Sequence, residues 1–313
     1  MTTDRAREMV LASFVGDSLS LAPHWIYDTD KIKAQFGQIN DLLAPLPDGY
    51  NPRKKRGDLT HLGDQTLLLL QSLARYEGTF NLTDFAEQWV ALFSNTDYPG
   101  YRDHATKVTL AQIEAQGKLL PEGSDSNELG AAARLAPLIA CYHHRDDLIH
   151  VAIEQTRFTH GHPASSFAAT WIAAVAQSVL AGANPLEALR HALASPTICE
   201  NDLALAKRIA AAIDLPMTDD PTAIVRSLGQ SCPAEKTLPA SAYLITRFSS
   251  DLRGALIANV MAGGDSAARG LVVGMIVGAH TGIESVIDWI DALNTKDEIE
   301  AALVRCQSRG LSA

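Results

Sequence analysis

The chain has 313 residues, 47% hydrophobic and 20% charged, with a net charge of −10. That apolar share supplies a sizeable core and excludes global disorder, while the negative balance excludes a general electrostatic attraction to nucleic acid or to an anionic membrane. Cys141, Cys199, Cys232 and Cys306 show no CxxC or Cys/His spacing, the start MTTDRAREMV carries no signal core, and no apolar stretch is long enough to span a bilayer, so a cytoplasmic chain with free thiols is expected.

Helical periodicity dominates, and alternating Val/Ile/Thr strand patterns are almost absent. A first helix is expected over 4–15, capped by Asp4, with Met9, Val10, Phe14 and Val15 on one face. It runs into FVGDSLSLAPHW at 14–25. There, Asp17 and Ser18 either bond local backbone in a helix-to-loop turn, or share a pocket with His24 acting as proton carrier or hydrogen-bond donor. Residues 28–60 are the least regular part, broken by Gly37, Pro45, Pro47, Gly49, Pro52 and Gly57. A loop of that length is usually functional or mobile. Its basic run, Arg53-Lys54-Lys55-Arg56, reads as a solvated loop or as an anion-binding rim at a site mouth.

HLGDQTLL at 61–68 sets His61, Asp64, Gln65 and Thr66 against a leucine block. Asp64 suits a helix N-cap and equally a ligand site. A helix follows from Thr83 or Asp84 through Phe85, Trp89, Val90 and Phe93. Further helices are expected over 126–143 and 145–157; Ser124 to Glu128 precede the first in the manner of a capping box, and Arg134 lies on it. FTHGHP brings His160 and His162 to the start of a very apolar segment that Pro163 opens and Gly182 closes. Being apolar nearly all round, it is predicted to be the central helix. Pro185 opens another helix through Leu189 and Leu193, and 200–213, 251–262, 266–280 and 297–308 complete the set.

The stretch MAGGDSAARGLVVGMIVGA at 261–279 carries Gly263 and Gly264, which allow a tight turn and close approach of a ligand. Asp265 and Ser266 begin its helix, Arg269 follows, and Gly270, Gly274 and Gly278 form a face suited to close helix packing. An acid and an arginine in so apolar a segment point to function. The pattern predicts an all-α fold: a single-domain orthogonal multi-helix bundle over 1–313.

These islands, in this order, resemble the ADP-ribosylglycohydrolase family along the whole chain. GDSLSLAPH is similar to the family's GDALG-x-P-x-E opening. Gly63-Asp64-Gln65-Thr66 falls on its T-D-D-T, SNELGAAARLAP resembles GNGA followed by MR-x-AP, THGHP resembles THxxP, and GGDSAA at 263–268 falls on GGDTDT. The resemblance implies an all-α fold that hydrolyses the N- or O-glycosidic bond of ADP-ribose to a side chain or related leaving group. It also implies two magnesium ions held by the second and last motifs, polarising ribose hydroxyls and activating water.

The chain departs from that pattern at the ligands. Gly63 and Gln65 replace a threonine and an acid, Ala267 and Ala268 replace an acid and a threonine, and His24 stands at the glutamate position of the first motif. At most one weakly held Mg²⁺, on Asp64, Thr66 and Asp265, is therefore expected. HLGDQTLLLL, YPGYRDHATKVTL and GGDSAARG are similar to the branch containing the J-type lens crystallins and selenoprotein J, which lacks the usual metal ligands.

The implied catalytic residues are Asp64, Asp265 and His24. Asp64 or Asp265 would stabilise an oxocarbenium-like transition state and position water, and His24 would supply the proton. Asp17, Gln65, Thr66, Asn127 and Glu128 would line the substrate pocket from one side. His160, Gly263, Gly264, Ser266 and Arg269 would line it from the other, with Arg269 pairing Asp265 or an anionic group of the substrate. The expected partner is a small molecule or an ADP-ribosylated substrate, with no nucleic acid and no membrane. The alternative is a non-catalytic ADP-ribose or nucleotide binder, or a crystallin-like structural protein.

Overall fold

The computed structural model describes residues 2–199, 202–216 and 220–307, and every element among them is helical. In chain order the first helices are α1 (Thr2–Ser20), α2 (Thr29–Phe36), α3 (His61–Arg75), α4 (Leu82–Ser94), α5 (His104–Gln116) and α6 (Gly130–Ala133). Then come α7 (Ala136–Tyr142), α8 (Leu148–Arg157), α9 (Pro163–Leu180), α10 (Pro185–Ala194), α11 (Pro196–Cys199) and α12 (Leu203–Ile213). The last are α13 (Pro221–Leu228), α14 (Ala234–Arg247), α15 (Leu252–Met261), α16 (Ser266–Thr281), α17 (Ile287–Asp291) and α18 (Lys296–Gln307). Residues 200, 201 and 308, at the ends of two predicted helices, lie outside the described residues, as does the Cys199 side chain; Cys141, Cys232 and Cys306 are free thiols. No helix among the described residues is long and apolar enough to cross a membrane.

The helix buried on all sides is α16, not the predicted α9. Every residue from 266 to 279 is buried, whereas α9 leaves Ser166, Ala174, Gln177 and Ser178 partly open. The cause is the glycine face. A Cβ on Gly270 would lie 2.3 Å from the Gly16 carbonyl oxygen, and one on Gly274 would lie 2.2 Å from that of Ala12. Without those methyls α1 and α16 press backbone to backbone. Two hydroxyls finish the seam: Ser13 donates to the Leu271 carbonyl at 3.0 Å and Ser20 to the Ser266 carbonyl at 2.9 Å. A single added methyl has nowhere to go, because its neighbour is main chain. Gly270→Ala is expected to cost about 2–3 kcal/mol, read as a lower thermal midpoint; an unchanged midpoint would show that the helices part freely.

Two breaks in periodicity have local causes. The predicted helix 126–143 is split into α6 and α7 at Arg134 and Leu135, with Pro137 in the first turn of the second piece. A proline there lacks the N–H that a continuous helix would need. Conversely, α14 forms straight through Pro239. The carbonyl that Pro239 cannot bond, on Glu235, instead accepts from the Arg208 guanidinium of α12 at 2.9 Å. That rescue is tertiary, and local propensity gives no sign of it.

The irregular stretch between α2 and α3 is tied down rather than loose. Arg56 donates to the Leu42 carbonyl and grips Asp41 with two bonds of 2.9 Å, Ser18 donates to the Asp58 carbonyl at 2.8 Å, and Asn294 N–H donates to the Gly57 carbonyl at 3.0 Å. These anchors set the stretch beside the starts of α3 and α16.

Candidate active site

Three helix starts converge. Thr60 caps α3 and accepts from the N–H groups of Leu62 and Gly63. Asp103 caps α5 and accepts from Thr106 N at 2.7 Å. Asp265 caps α16 and accepts from Ala268 N at 3.3 Å. Each cap leaves a polar group facing a shared cluster of acids and histidines. The second Asp103 oxygen receives His61 Nε2 at 3.2 Å, Asp265 Oδ1 lies 4.0 Å from His24 Nδ1, and the His24 and His61 rings are 5.9 Å apart.

Trp25 roofs the cluster. It stacks on His24 at 4.2 Å and meets the rings of Tyr50 and Tyr101 edge-on at 4.7 and 4.9 Å. Its backbone sits at φ +65°, a conformation costly for a bulky residue. Two bonds hold it there: Trp25 N–H to the Gly264 carbonyl and Gly264 N–H to the Ile26 carbonyl, both 2.8 Å. Backbone strain of this kind gathers at functional sites. A cavity of about 280 Å³, lined by His24, Trp25, Tyr27, Pro45, Leu46 and Tyr50 among others, reaches His24 from the side of the irregular stretch, close to the lower end of ligand-pocket sizes.

The protonation states differ by cause. Burial, with His61 and Arg269 nearby, holds His24 well below its usual range. The Ala267 N–H donates to its Nδ1 at 3.4 Å, so a neutral His24 carries its proton on Nε2. His160 is pushed down to about 4 by burial despite Asp103. Arg134 donates to Thr159 Oγ1 at 2.9 Å, which leaves that hydroxyl proton for His160 Nδ1, also at 2.9 Å, and so puts the His160 proton on Nε2. Burial works against a charged His61, but the bond and charge of Asp103 outweigh it and raise His61. Glu128, half-buried, is pushed up to about 7 by burial and by the charges of Asp103 and Asp265. His24 Nε2, His61 Nδ1, His160 Nε2 and the Ser266 hydroxyl are buried without a protein partner. Buried polar atoms rarely stay so, and four in one region suit a ligand.

Other predicted residues have internal duties. Asp17 is wholly buried and binds Thr60, accepting from its N–H at 2.7 Å and its hydroxyl at 2.6 Å; burial pushes it up to about 6. A Cβ on Gly63 would lie 2.1 Å from Asp17 Oδ2, which is why the position carries glycine. Gln65 turns inward: its carbonyl accepts from Trp89 Nε1 at 3.0 Å and from the Arg134 guanidinium. Thr66 returns its hydroxyl to the Leu62 carbonyl at 2.9 Å. Arg269 binds Asn259 Oδ1 at 3.0 Å and the Gly263 carbonyl, so it closes the α15–α16 turn, with the charge of Asp265 acting on it from nearby. Gly263 and Gly264 are crowded by the Ile26 and Gln230 carbonyls rather than open to a ligand. Asn127 is half-buried, and its carbonyl accepts from Ala234 N–H at 2.8 Å.

The expected magnesium does not fit this donor set. Asp64 Oδ2 already holds the Lys54 ammonium at 2.6 Å and the Tyr98 hydroxyl at 2.5 Å. The Thr66 hydroxyl is committed to its own helix, and Asp265 Oδ1 to its cap. Among the described residues no three His, Cys, Asp or Glu side chains are arranged to hold a metal ion. The charge of His61 acts on both Asp64 and Asp265.

In the sequence His61 stands out only with HLGDQT and Lys54 only with its basic run, while Asp103, Trp25, Tyr101 and Tyr98 are not assigned to the site. Asp103 reads as a plain N-cap, which it also is. The segment YPGYRDHATKV holds three of the six and was the available signal.

The all-α architecture is shared with a known scaffold. A solved chain titled ADP-ribosylglycohydrolase-related protein complex superposes with a TM-score of 0.75 at 25% identity, over 98% of both chains. The sequence pattern of the ADP-ribosylglycohydrolase family matches residues 1–311, and the chain belongs to that family. It is similar to crystallin J1A of Tripedalia cystophora, 24% identical over 95% of this chain and 94% of the relative. It is equally similar, at 24% identity over 95% and 92%, to the ADP-ribosyl-[dinitrogen reductase] glycohydrolase of Rhodospirillum rubrum.

Proposed function

We propose that the protein hydrolyses an N- or O-ribosyl bond of the ADP-ribosyl type, with Glu128 as proton donor and with no step assigned to a metal. The observation that carries this reading is the Glu128 carboxyl, held up to about 7 by burial and by two neighbouring acids. A carboxylic acid of that strength is still protonated near neutral pH and can donate to the departing atom. The proton passes from Glu128 to the leaving group as the glycosidic bond breaks. Positive charge then develops on the ribose, where the buried Asp265 carboxylate opposes it and orients the water that adds to the anomeric carbon, and the proton this water releases restores the Glu128 acid. His24 and His160 are neutral, so their Nε2 hydrogens serve as fixed donors to ribose hydroxyls. The proton-donor role expected of His24 moves to Glu128 because burial keeps His24 uncharged.

Family membership and the named activity of the Rhodospirillum rubrum relative support this reading. The test is release of ADP-ribose from N-linked and O-linked ADP-ribosyl peptides, in Mg²⁺ and in EDTA. Equal release in both is expected. Release that EDTA abolishes would sink the metal-free part, and no release from either linkage would sink hydrolysis itself. The likeness to crystallin J1A favours a second reading, a binder or structural protein. It predicts a thermal shift with ADP-ribose, or none, and no turnover.

A further inference from the structure

Lys54 is the one residue of its basic run that turns inward. Arg53 donates to the Tyr98 carbonyl, the Lys55 N–H donates to Asp58 Oδ2 at 2.7 Å, and Arg56 grips Asp41. The Lys54 side chain is only 6% exposed, with its ammonium 2.6 Å from Asp64 Oδ2 and 5.6 Å from the centre of the Tyr98 ring. Lysine is almost never this buried unless it is paired. The Lys54 N–H donates to the Asn51 carbonyl at 3.0 Å, and Asn51 Oδ1 accepts from Tyr101 N–H at 3.1 Å, so the loop is fixed on the aromatic wall of the site.

We propose that Lys54 is the resident cation of the Asp64 seat: its ammonium neutralises the carboxylate that would otherwise call for a divalent ion, and it keeps such an ion out by occupying the same oxygen. A cation seated on Asp64 Oδ2 must displace either this ammonium or the Tyr98 hydroxyl. The first move strands a lysine in a nearly dry place, and stranding one member of a buried pair is strongly unfavourable. This assignment concerns the charge at Asp64 and does not rest on the reaction read from the neighbouring cluster.

The test compares the parent with Lys54→Ala and Lys54→Met by thermal unfolding and by calorimetric titration with Mn²⁺, Mg²⁺ and methylammonium. The parent should bind none of the three measurably, and its midpoint should be the same in Mn²⁺ and in EDTA. Lys54→Ala leaves Asp64 uncompensated wherever that carboxyl is ionised, so it should lose on the order of 5 °C at pH 8 and less as the pH falls and Asp64 protonates. Methylammonium or Mn²⁺ should recover at least half of that loss. Lys54→Met keeps the stem but fills the seat, so it should show the pH-dependent loss without rescue by cations. If the alanine variant does not fold, this pH-dependence carries the test alone. A parent that binds Mn²⁺, or a loss equal at all pH values in both variants, overturns the proposal.

Discussion

Glu128→Gln is expected to lower kcat on an ADP-ribosyl substrate by about 10²–10³-fold, the usual worth of a positioned proton donor. Glutamine keeps the size and one acceptor oxygen but cannot release a proton. The parent rate should fall as the pH rises through about 7, where the Glu128 carboxyl ionises. The variant should lack that limb. Stability gives a second readout that needs no substrate. The folded chain keeps the Glu128 proton up to about 7, whereas the unfolded chain releases it near the ordinary 4.5. Between those values the folded state binds more protons, so stability falls as the pH rises across the window. The swing is about 2 kcal/mol once the part of the carboxyl reached by water is discounted, and Glu128→Gln should remove it. His61 pulls the same way just above: its raised folded value gives stability that is present below 6.5 and lost at higher pH. Full kcat in the variant, with an unaltered pH slope of the thermal midpoint, would take the proton-donor role away from Glu128.

Much of the fold is legible in the sequence because burial imposes the helical period. The run 266–280 reads as a helix with a glycine face, and that face is the one against which α1 closes. What escapes is settled at a distance. α14 is hidden by Pro239, since the Arg208 side chain that satisfies the Glu235 carbonyl lies 27 residues earlier. The site divides in the same way. His24, Glu128, His160 and Asp265 carry a polar atom or a charge into one region, and each stands out as polar among apolar neighbours. Gln65 and Arg269 stand out for the same reason, yet the structure spends them on Trp89, Arg134 and Asn259. A sequence shows that a polar group is buried and not which partner satisfies it. Lys54 is the converse: a lysine in a basic loop reads as solvated until Asp64 is seen beside it.

Arg134→Leu is expected to destabilise the fold by about 3–5 kcal/mol, the cost of breaking a buried charged network from one side. Arg134 is fully buried under the α6–α7 break, where the charge of Asp103 acts on it without a direct ion pair among the described residues. Its guanidinium donates to Gln65 Oε1, Gln155 Oε1 and Thr159 Oγ1, and lies 5.3 Å from the centre of the Phe85 ring. Burial pushes the group down to about 9, so holding the charge here is itself costly. Leucine relieves that cost but leaves acceptors dry. Gln65 keeps Trp89 Nε1, while Gln155 Oε1 and Thr159 lose their donor, at about 1–3 kcal/mol for each unsatisfied group. The losses exceed the relief. Gln155→Met gives up the long Nε2 bonds to the Ala131 carbonyl at 3.2 Å and Thr156 Oγ1 at 3.3 Å but removes the dry amide oxygen, the larger cost, so Arg134→Leu combined with Gln155→Met should be more stable than Arg134→Leu alone. The damage also reaches the site, since Thr159 then no longer holds His160 in one tautomer, so KM should rise in both variants even after stability is recovered. Chemical unfolding of the two variants beside the parent decides it. A double variant no more stable than the single one would mean that the guanidinium holds the fold by packing against Phe85 and not by its donors.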